Sequence, residues 1–140
     1  IDDHTADVSL AANATTALTP PPAWSTDLTR PLIGRLTLTD TTDTADAIHT
    51  AHAHAWPEPF RWHRFPDPQV RVVVEPEGGF VQVSASRPAK GVWLDAPGTD
   101  VRFEDNFLDL LPGETRRLGV TGGRAEAITA GCLNTWQDAP

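Results

Sequence analysis

The sequence predicts an all-β protein built around an antiparallel β-sandwich. Short stretches alternate apolar and polar residues at a period of two, the spacing of a strand with one buried face. In the second half of the chain these stretches recur roughly every ten residues with Pro/Gly turn clusters between them, as in a sandwich. Amphipathic helical periodicity is nearly absent.

In chain order, residues 6–11 and 33–39 are the first strand candidates, the latter with Ile33, Leu36 and Leu38 apolar. Between them Pro20-Pro21-Pro22 and Trp24 read as an exposed, extended loop. Residues 42–55 form the best helical window, with Thr and Asp at N-cap positions. Its apolar residues are almost all alanines, however, which bury little area. From Ala51 the chain alternates Ala51, His52, Ala53, His54, Ala55, Trp56, which favours a strand whose histidines face solvent and whose alanines pack inward.

Pro57, Pro59, Pro66 and Pro68 then fall within twelve residues and exclude a central strand there. Trp56, Phe60, Trp62 and Phe65 interleave with them. Their rings either pack into a groove between two units or stand exposed to stack on sugar rings. Next come strands at 69–75 (Val70, Val72 and Val74 on one face, Val73 on the other) and 79–86 (Val81, Val83 and Ala85 against Gln82 and Ser84). Residues 91–95 centre on Trp93, which its mid-strand position assigns to the core. Residues 115–120 set Leu118 and Val120 against Arg117 and Gly119. Pro76-Glu77-Gly78-Gly79, Arg87-Pro88, Ala96-Pro97-Gly98 and Pro112-Gly113 are the turns. Residues 105–114, Asp-Asn-Phe-Leu-Asp-Leu-Leu-Pro-Gly-Glu, read as a corner between two strands. Residues 125–140 offer one strand candidate, 127–130.

A chain of 140 residues suits one domain or two small ones. A net charge of −8, from 19 acidic and 11 basic residues, argues against nucleic acid or an anionic membrane as partner. No run of about 18 apolar residues spans a membrane, and no charged-then-apolar signal opens the chain. Cys132, the single cysteine, excludes an internal disulfide and a multi-cysteine metal site, and reads as an unreactive thiol. With no methionine and Ile1 first, the chain reads as a fragment, a processed product or a trimmed piece. Lys90 is the one lysine among 11 basic residues, a bias that suits a GC-rich bacterial genome. The unpaired thiol suits the cytoplasm, with secretion the alternative.

Few residues carry chemistry. On a strand His52 and His54 share a face and could chelate zinc or copper, with His49, His63 or Asp46 as a third ligand. No zinc-protease spacing accompanies them, and no metal or cofactor is expected. Asp105, Asp109 and Glu114 invite comparison with a glycosidase pair or a calcium site. The local reading is structural: Asp105 and Asn106 accept hydrogen bonds from backbone N–H groups two residues on, and Asp109 serves the Pro112-Gly113 turn. Ser9, Ser25, Ser84 and Ser86 lack a nucleophile context. Gly78-Gly79 and Gly122-Gly123 are turn pairs, and Asn13-Ala14-Thr15 is a short sequon. No catalytic residue is assigned.

Several motifs stand in one order: Trp56-Pro57-Glu58-Pro59-Phe60, Pro66-Asp67-Pro68, the valine-rich strand that follows, Lys90-Gly91-Val92-Trp93-Leu94, and the acidic corner 105–114. This series resembles the C-terminal immunoglobulin-like region of β-mannosidases of glycoside hydrolase family 2, closely over residues 56–120 and loosely over 7–55. The resemblance implies an immunoglobulin-like β-sandwich at residues 66–140, preceded at 1–65 by part of the penultimate sandwich. It implies a parent whose (β/α)₈ barrel carries two glutamates, acid/base and nucleophile, about 5 Å apart. The family's acid/base glutamate follows an asparagine, and no Asn-Glu dipeptide occurs here. The implied function is that of a non-catalytic accessory region, supporting the barrel of an enzyme that hydrolyses terminal β-D-mannosides in carbohydrate catabolism. Its partners would be the parent's other domains, and a truncated sandwich would self-associate through exposed edges. An alternative is a stand-alone carbohydrate-binding module that stacks Trp24, Trp56, Trp62 or Trp93 on polysaccharide. A third is a small metal-binding protein using His52 and His54.

Overall fold

From residue 32 on, the period-two alternation resolves into β-strands in the computed structural model, which describes residues 4–9, 11, 13–19, 21, 24, 29–40, 47–75, 79–123 and 128–136. An antiparallel hairpin comes first, β1 (Leu32–Asp40) with β2 (Ala47–Ala55). A connector with one 3-10 turn at Phe60–Trp62 leads to β3 (Arg71–Val74), β4 (Phe80–Ser84) and β5 (Ala89–Asp95). Then come β6 (Arg102–Phe103), β7 (Leu108–Leu110), β8 (Thr115–Thr121), β9 (Thr129–Gly131) and a helical turn, α1 (Leu133–Trp136). The strands after the connector form two sheets, β3-β4-β8-β6 and β7-β5-β9, every pair antiparallel. No helix among the described residues is long and apolar enough to cross a membrane.

The core lies between these sheets. Val81, Val83 and Ala85 line it from β4 and its end, Val92 and Leu94 from β5, Leu108 and Leu110 from β7, and Leu118 from β8. Val81 and Val83 are wholly buried, a stabilisation of about 1.5–3 kcal/mol each by transfer from water. The alternation read from 79–86 and 115–120 holds. In β3, Val72 packs on the core while Val73 is exposed, and Val74 at the strand's end is also open.

β5 breaks its own alternation. Ala89 and Val92 both face inward although three residues apart, because the ladder to β7 shifts register between them. Gly91, at φ +55, supplies the left-handed residue of this bulge, a conformation that costs a side chain energy. Beyond the bulge Val92 and Leu94 point in, and Trp93 points out. Trp93 is therefore not a core residue: its indole lies across Gly131 on β9, the residue paired with it. A Cβ on Gly131 would overlap the ring atoms Cζ2 and Cε2, so this position has no room for a side chain.

Side-chain amides extend the β5 ladder where its neighbours stop. Asn106, just before β7, accepts from Leu94 N at 2.8 Å and donates to Leu94 O at 3.1 Å. Asn134, buried in α1, accepts from Lys90 N at 2.8 Å and donates to Pro88 O at 3.1 Å. Both amides satisfy main-chain groups that would otherwise be orphaned. The Pro-Gly turns form as expected: Glu114 N donates to Leu111 O with Gly113 at φ +75, and Thr99 N to Ala96 O with Gly98 at φ +74. Positive φ at the third residue is the type II signature.

Some expectations change. Residues 6–9 and 11 are not in a strand, and Leu10 lies outside the described residues. The 42–55 window is strand from Ala47, and residues 41–46 lie outside the description. The corner at 105–114 contains a strand of its own, β7, because Leu108 and Leu110 both reach the core. In the C-terminal segment β9 overlaps the 127–130 candidate, whose first residue is undescribed. The α1 turn was not foreseen.

The Trp93–Gly131 fit makes a testable case. Gly131→Ala should destabilise the protein by about 1–3 kcal/mol in denaturant unfolding through overpacking. Trp93→Ala, by vacating the space, should remove most of that penalty. Strictly additive losses would show that the ring and the glycine are not coupled.

Candidate functional site

The functional candidates gather where the hairpin and connector meet the sandwich. On the β1–β2 hairpin, His54 pairs with Ile33 and His52 with Arg35. Directly paired residues share a face, so these four look one way while Leu32, Leu36, Ala51, Ala53 and Ala55 look the other. The expected polarity is reversed. His52 and His54 are largely covered, with side-chain exposures of 15% and 11%, and the alanines are in solvent. Small methyl groups gain little by burial, whereas the sandwich surface opposite presents carboxylates that imidazoles can face.

Those carboxylates are Asp109 and Glu114. His52 Nδ1 lies 3.5 Å from Glu114 Oε1, and His54 Nδ1 lies 3.9 Å from Asp109 Oδ2. Both are charge-range approaches rather than aligned hydrogen bonds, and they attract only when the imidazole is protonated. His52 Nδ1 and His54 Nε2 are buried with no hydrogen-bond partner among the described residues.

Each carboxylate is already committed. Asp109 Oδ1 accepts from Gly91 N and Oδ2 from Trp56 Nε1, both at 2.8 Å. It thus clamps the β5 bulge to the connector instead of closing the Pro112-Gly113 turn. That turn belongs to Glu114, whose Oε2 accepts from Leu111 N at 2.9 Å and Oε1 from Arg116 Nε at 2.6 Å. Asp105 Oδ1 accepts from Asn106 N, one residue on, and Asn106 Oδ1 from Phe107 N. This places the local bonds one residue nearer than expected. The oxygens of Asp109 and Glu114 hold structure, so neither carboxylate is poised for acid/base or nucleophilic work.

Burial raises the Glu114 carboxyl, but the Leu111 N–H, the Arg116 guanidinium and the nearby His52 outweigh it and hold the group below its ordinary 4.5. A carboxyl depressed in the folded state adds stability that is fully present above pH 4.5 and is lost as pH falls through the folded value.

The connector aromatics pack as a cluster. Trp56 is 8% exposed and meets Phe60 and Phe65 edge-on, each at 5.7 Å, while Phe60 and Phe65 stack at 4.8 Å. Lys90 Nζ sits 5.3 Å from the Trp56 and Phe60 rings, a cation–π contact. Trp56 therefore has no free face for a sugar. Trp24 is half-buried with its edge toward His4, and Trp62 stands 72% exposed beneath Arg61.

Among the described residues the metal candidates His52, His54 and His63 do not form a centre. His63 lies beside Phe65; Asp46 and the side chain of His49 lie outside the described residues. Among the described residues no group of three or more His, Cys, Asp or Glu side chains could hold a metal ion. Cys132 is buried in the core cluster with Sγ 3.5 Å from Thr135 Oγ1. Sequence reasoning missed the Asp109–Trp56 bond because its partners are 53 residues apart; no local pattern signals it.

Two measurements test this junction. Asp109→Ala should cost about 2–4 kcal/mol, since it strands a backbone N–H and an indole N–H, and should red-shift Trp56 emission; an unchanged unfolding midpoint would refute the clamp. Glu114→Gln should flatten the loss of thermal stability below pH 4.5, and identical acid slopes in the two proteins would remove Glu114 from the account.

Residues 65–134, half of the 140-residue chain, match the mannosidase Ig-fold domain family. The chain is also similar to β-mannosidase B of Thermothelomyces thermophilus, 40% identical over 68 residues, which cover 48% of this chain and 8% of that protein. To β-mannosidase B of Aspergillus niger it is 36% identical over 75 residues, covering 51% of this chain and 9% of that protein. The matched part is a small Ig-like region, and the chain spans under a tenth of either relative's length. With its two antiparallel sheets and this match, the chain belongs to the mannosidase Ig-fold domain family.

Proposed function

We propose that this chain is a non-catalytic accessory region of a larger β-mannosidase of glycoside hydrolase family 2, an enzyme that hydrolyses terminal β-D-mannosides in carbohydrate catabolism. The observation that carries the reading is the match of an Ig-like segment to only 8–9% of two β-mannosidases. The committed oxygens of Asp109 and Glu114 support it, because they leave no carboxylate pair free at the junction. The role is mechanical: the sandwich buries apolar surface against the parent's other domains and supports the catalytic barrel.

Residues 1–65 form the later part of a penultimate sandwich and residues 66–140 the final one. The hairpin's outer face supports this division. Leu32 is 39% and Leu36 45% exposed beside bare alanines, and a two-stranded ribbon is marginal alone. The remaining strands of that sandwich would cover the face; without them the chain self-associates through it. A bacterial source and a cytoplasmic location belong to the same proposal, the first resting on composition, since both relatives named are fungal. A carbohydrate-binding module is the second reading, and the openness of Trp62 favours it.

The purified chain should show no turnover of a chromogenic β-mannoside, and hydrolysis at enzyme-like rates would overturn the accessory role. Tryptophan emission should stay unchanged when mannan oligosaccharides are titrated in, whereas a saturable shift lost in Trp62→Ala would favour the binding module.

A further inference from the structure

A second feature of the β7-β5-β9 sheet has no part in the junction. Trp93, Phe107, Leu133 and Trp136 converge on an open cleft of about 270 Å³. Phe107 is 71% and Trp136 65% exposed. The outer face of an antiparallel sandwich sheet is ordinarily polar, and large exposed apolar patches mark interaction sites.

The main chain that carries these rings is held in place. Trp93 lies on Gly131, which has no room for a side chain. Phe107 sits at φ +59, a left-handed conformation that is strained for a non-glycine residue and that tends to mark ligand clamps. Asn106 maintains it by accepting from both Phe107 N and Leu94 N. Leu133 and Trp136 ride on α1, which Asn134 fastens to Lys90 and Pro88. The Trp93 and Phe107 rings face each other at 6.5 Å with a 35° tilt. A backbone ordered before binding loses little entropy on contact.

We propose that this cleft is a docking surface for a neighbouring domain of the same longer polypeptide, which seats apolar side chains between Trp93, Phe107 and Trp136. The proposal rests on the accessory-region reading and names the surface through which it acts. Two observations select this occupant. All four lining residues are hydrophobic, whereas a site for a polar ligand such as a sugar needs convergent polar groups. The cleft also continues an interface already present: Leu133 packs at Gly91, and the adjacent Lys90 reaches over Trp56 and Phe60 in the connector. One part of this sheet's outer face is thus covered by chain that precedes the sandwich, and the cleft is the adjoining part that the described residues leave uncovered.

Hydroxyl-radical footprinting read by mass spectrometry tests the proposal, comparing the 140-residue chain with the longer polypeptide that contains it. Oxidation of Phe107 and Trp136 should fall about tenfold in the longer polypeptide, as expected for rings at a desolvated interface centre. Equal oxidation in both would overturn the docking surface while leaving the accessory role intact. If no longer polypeptide continues the sequence, the accessory reading falls and the docking surface with it. In a parallel arm, β-1,4-mannotetraose is added to the 140-residue chain. Unchanged oxidation supports the proposal, and protection of the same rings would make the cleft a sugar shelf and refute it. Phe107→Ala and Trp136→Ala should leave the melting temperature of the 140-residue chain within about 2 °C, as surface changes do, yet speed proteolysis between domains of the longer polypeptide. Unaltered proteolysis would count against docking.

Discussion

The Asp109 carboxylate is the constraint on which the rest of the structure hangs. One oxygen holds the Gly91 amide at the β5 bulge and the other holds the Trp56 indole of the connector. A charged acceptor makes stronger hydrogen bonds than a neutral one. The bulge in turn decides which way β5 points after residue 91, with Val92 and Leu94 into the core and Trp93 away from it. The indole fixes where the aromatic connector lies, and through it the position of the hairpin. One side chain thereby couples core packing to the placement of the connector.

Around that clamp the chain uses polar side chains in place of longer strands. β7 and β9 are three residues each, too short to pair with all of β5. Asn106 and Asn134 take over beyond their ends, one on each side of β5. Short neighbours leave space on the sheet's outer face, and the aromatic rings occupy it. The other sheet is conventional: Arg117 forks onto Glu75 at 2.8 and 2.9 Å and stacks on Phe80. That pairing lowers the Glu75 carboxyl to about 2, but at the protein surface such a bridge adds little stability.

The hairpin illustrates how context overrides pattern. A stretch of alternating alanine and histidine specifies a strand but leaves its orientation open, because a one-residue shift exchanges the two faces. The face that lies toward Asp109 and Glu114 is the histidine face. The uncovered face then carries Leu32, Leu36 and the alanines, the opposite of what an isolated soluble hairpin would present.

Alternation, turn residues and a low helical signal were enough to fix the all-β class, strands β3, β4, β5 and β8 and the inward valines of β4, because those features depend on neighbours within a few residues; the short β6 and β7 were not among them. The motif order also carried the family resemblance. The positions of Trp93, the histidine face, the partners of Asp109 and the aromatic cleft were not legible. Each depends on residues brought together from distant parts of the chain, such as Trp56 with Asp109 and Trp93 with Gly131. Local sequence therefore determined what this chain can form, and packing between elements decided which way each side chain faces, since burial and hydrogen bonding are settled only when the sheets close on one another.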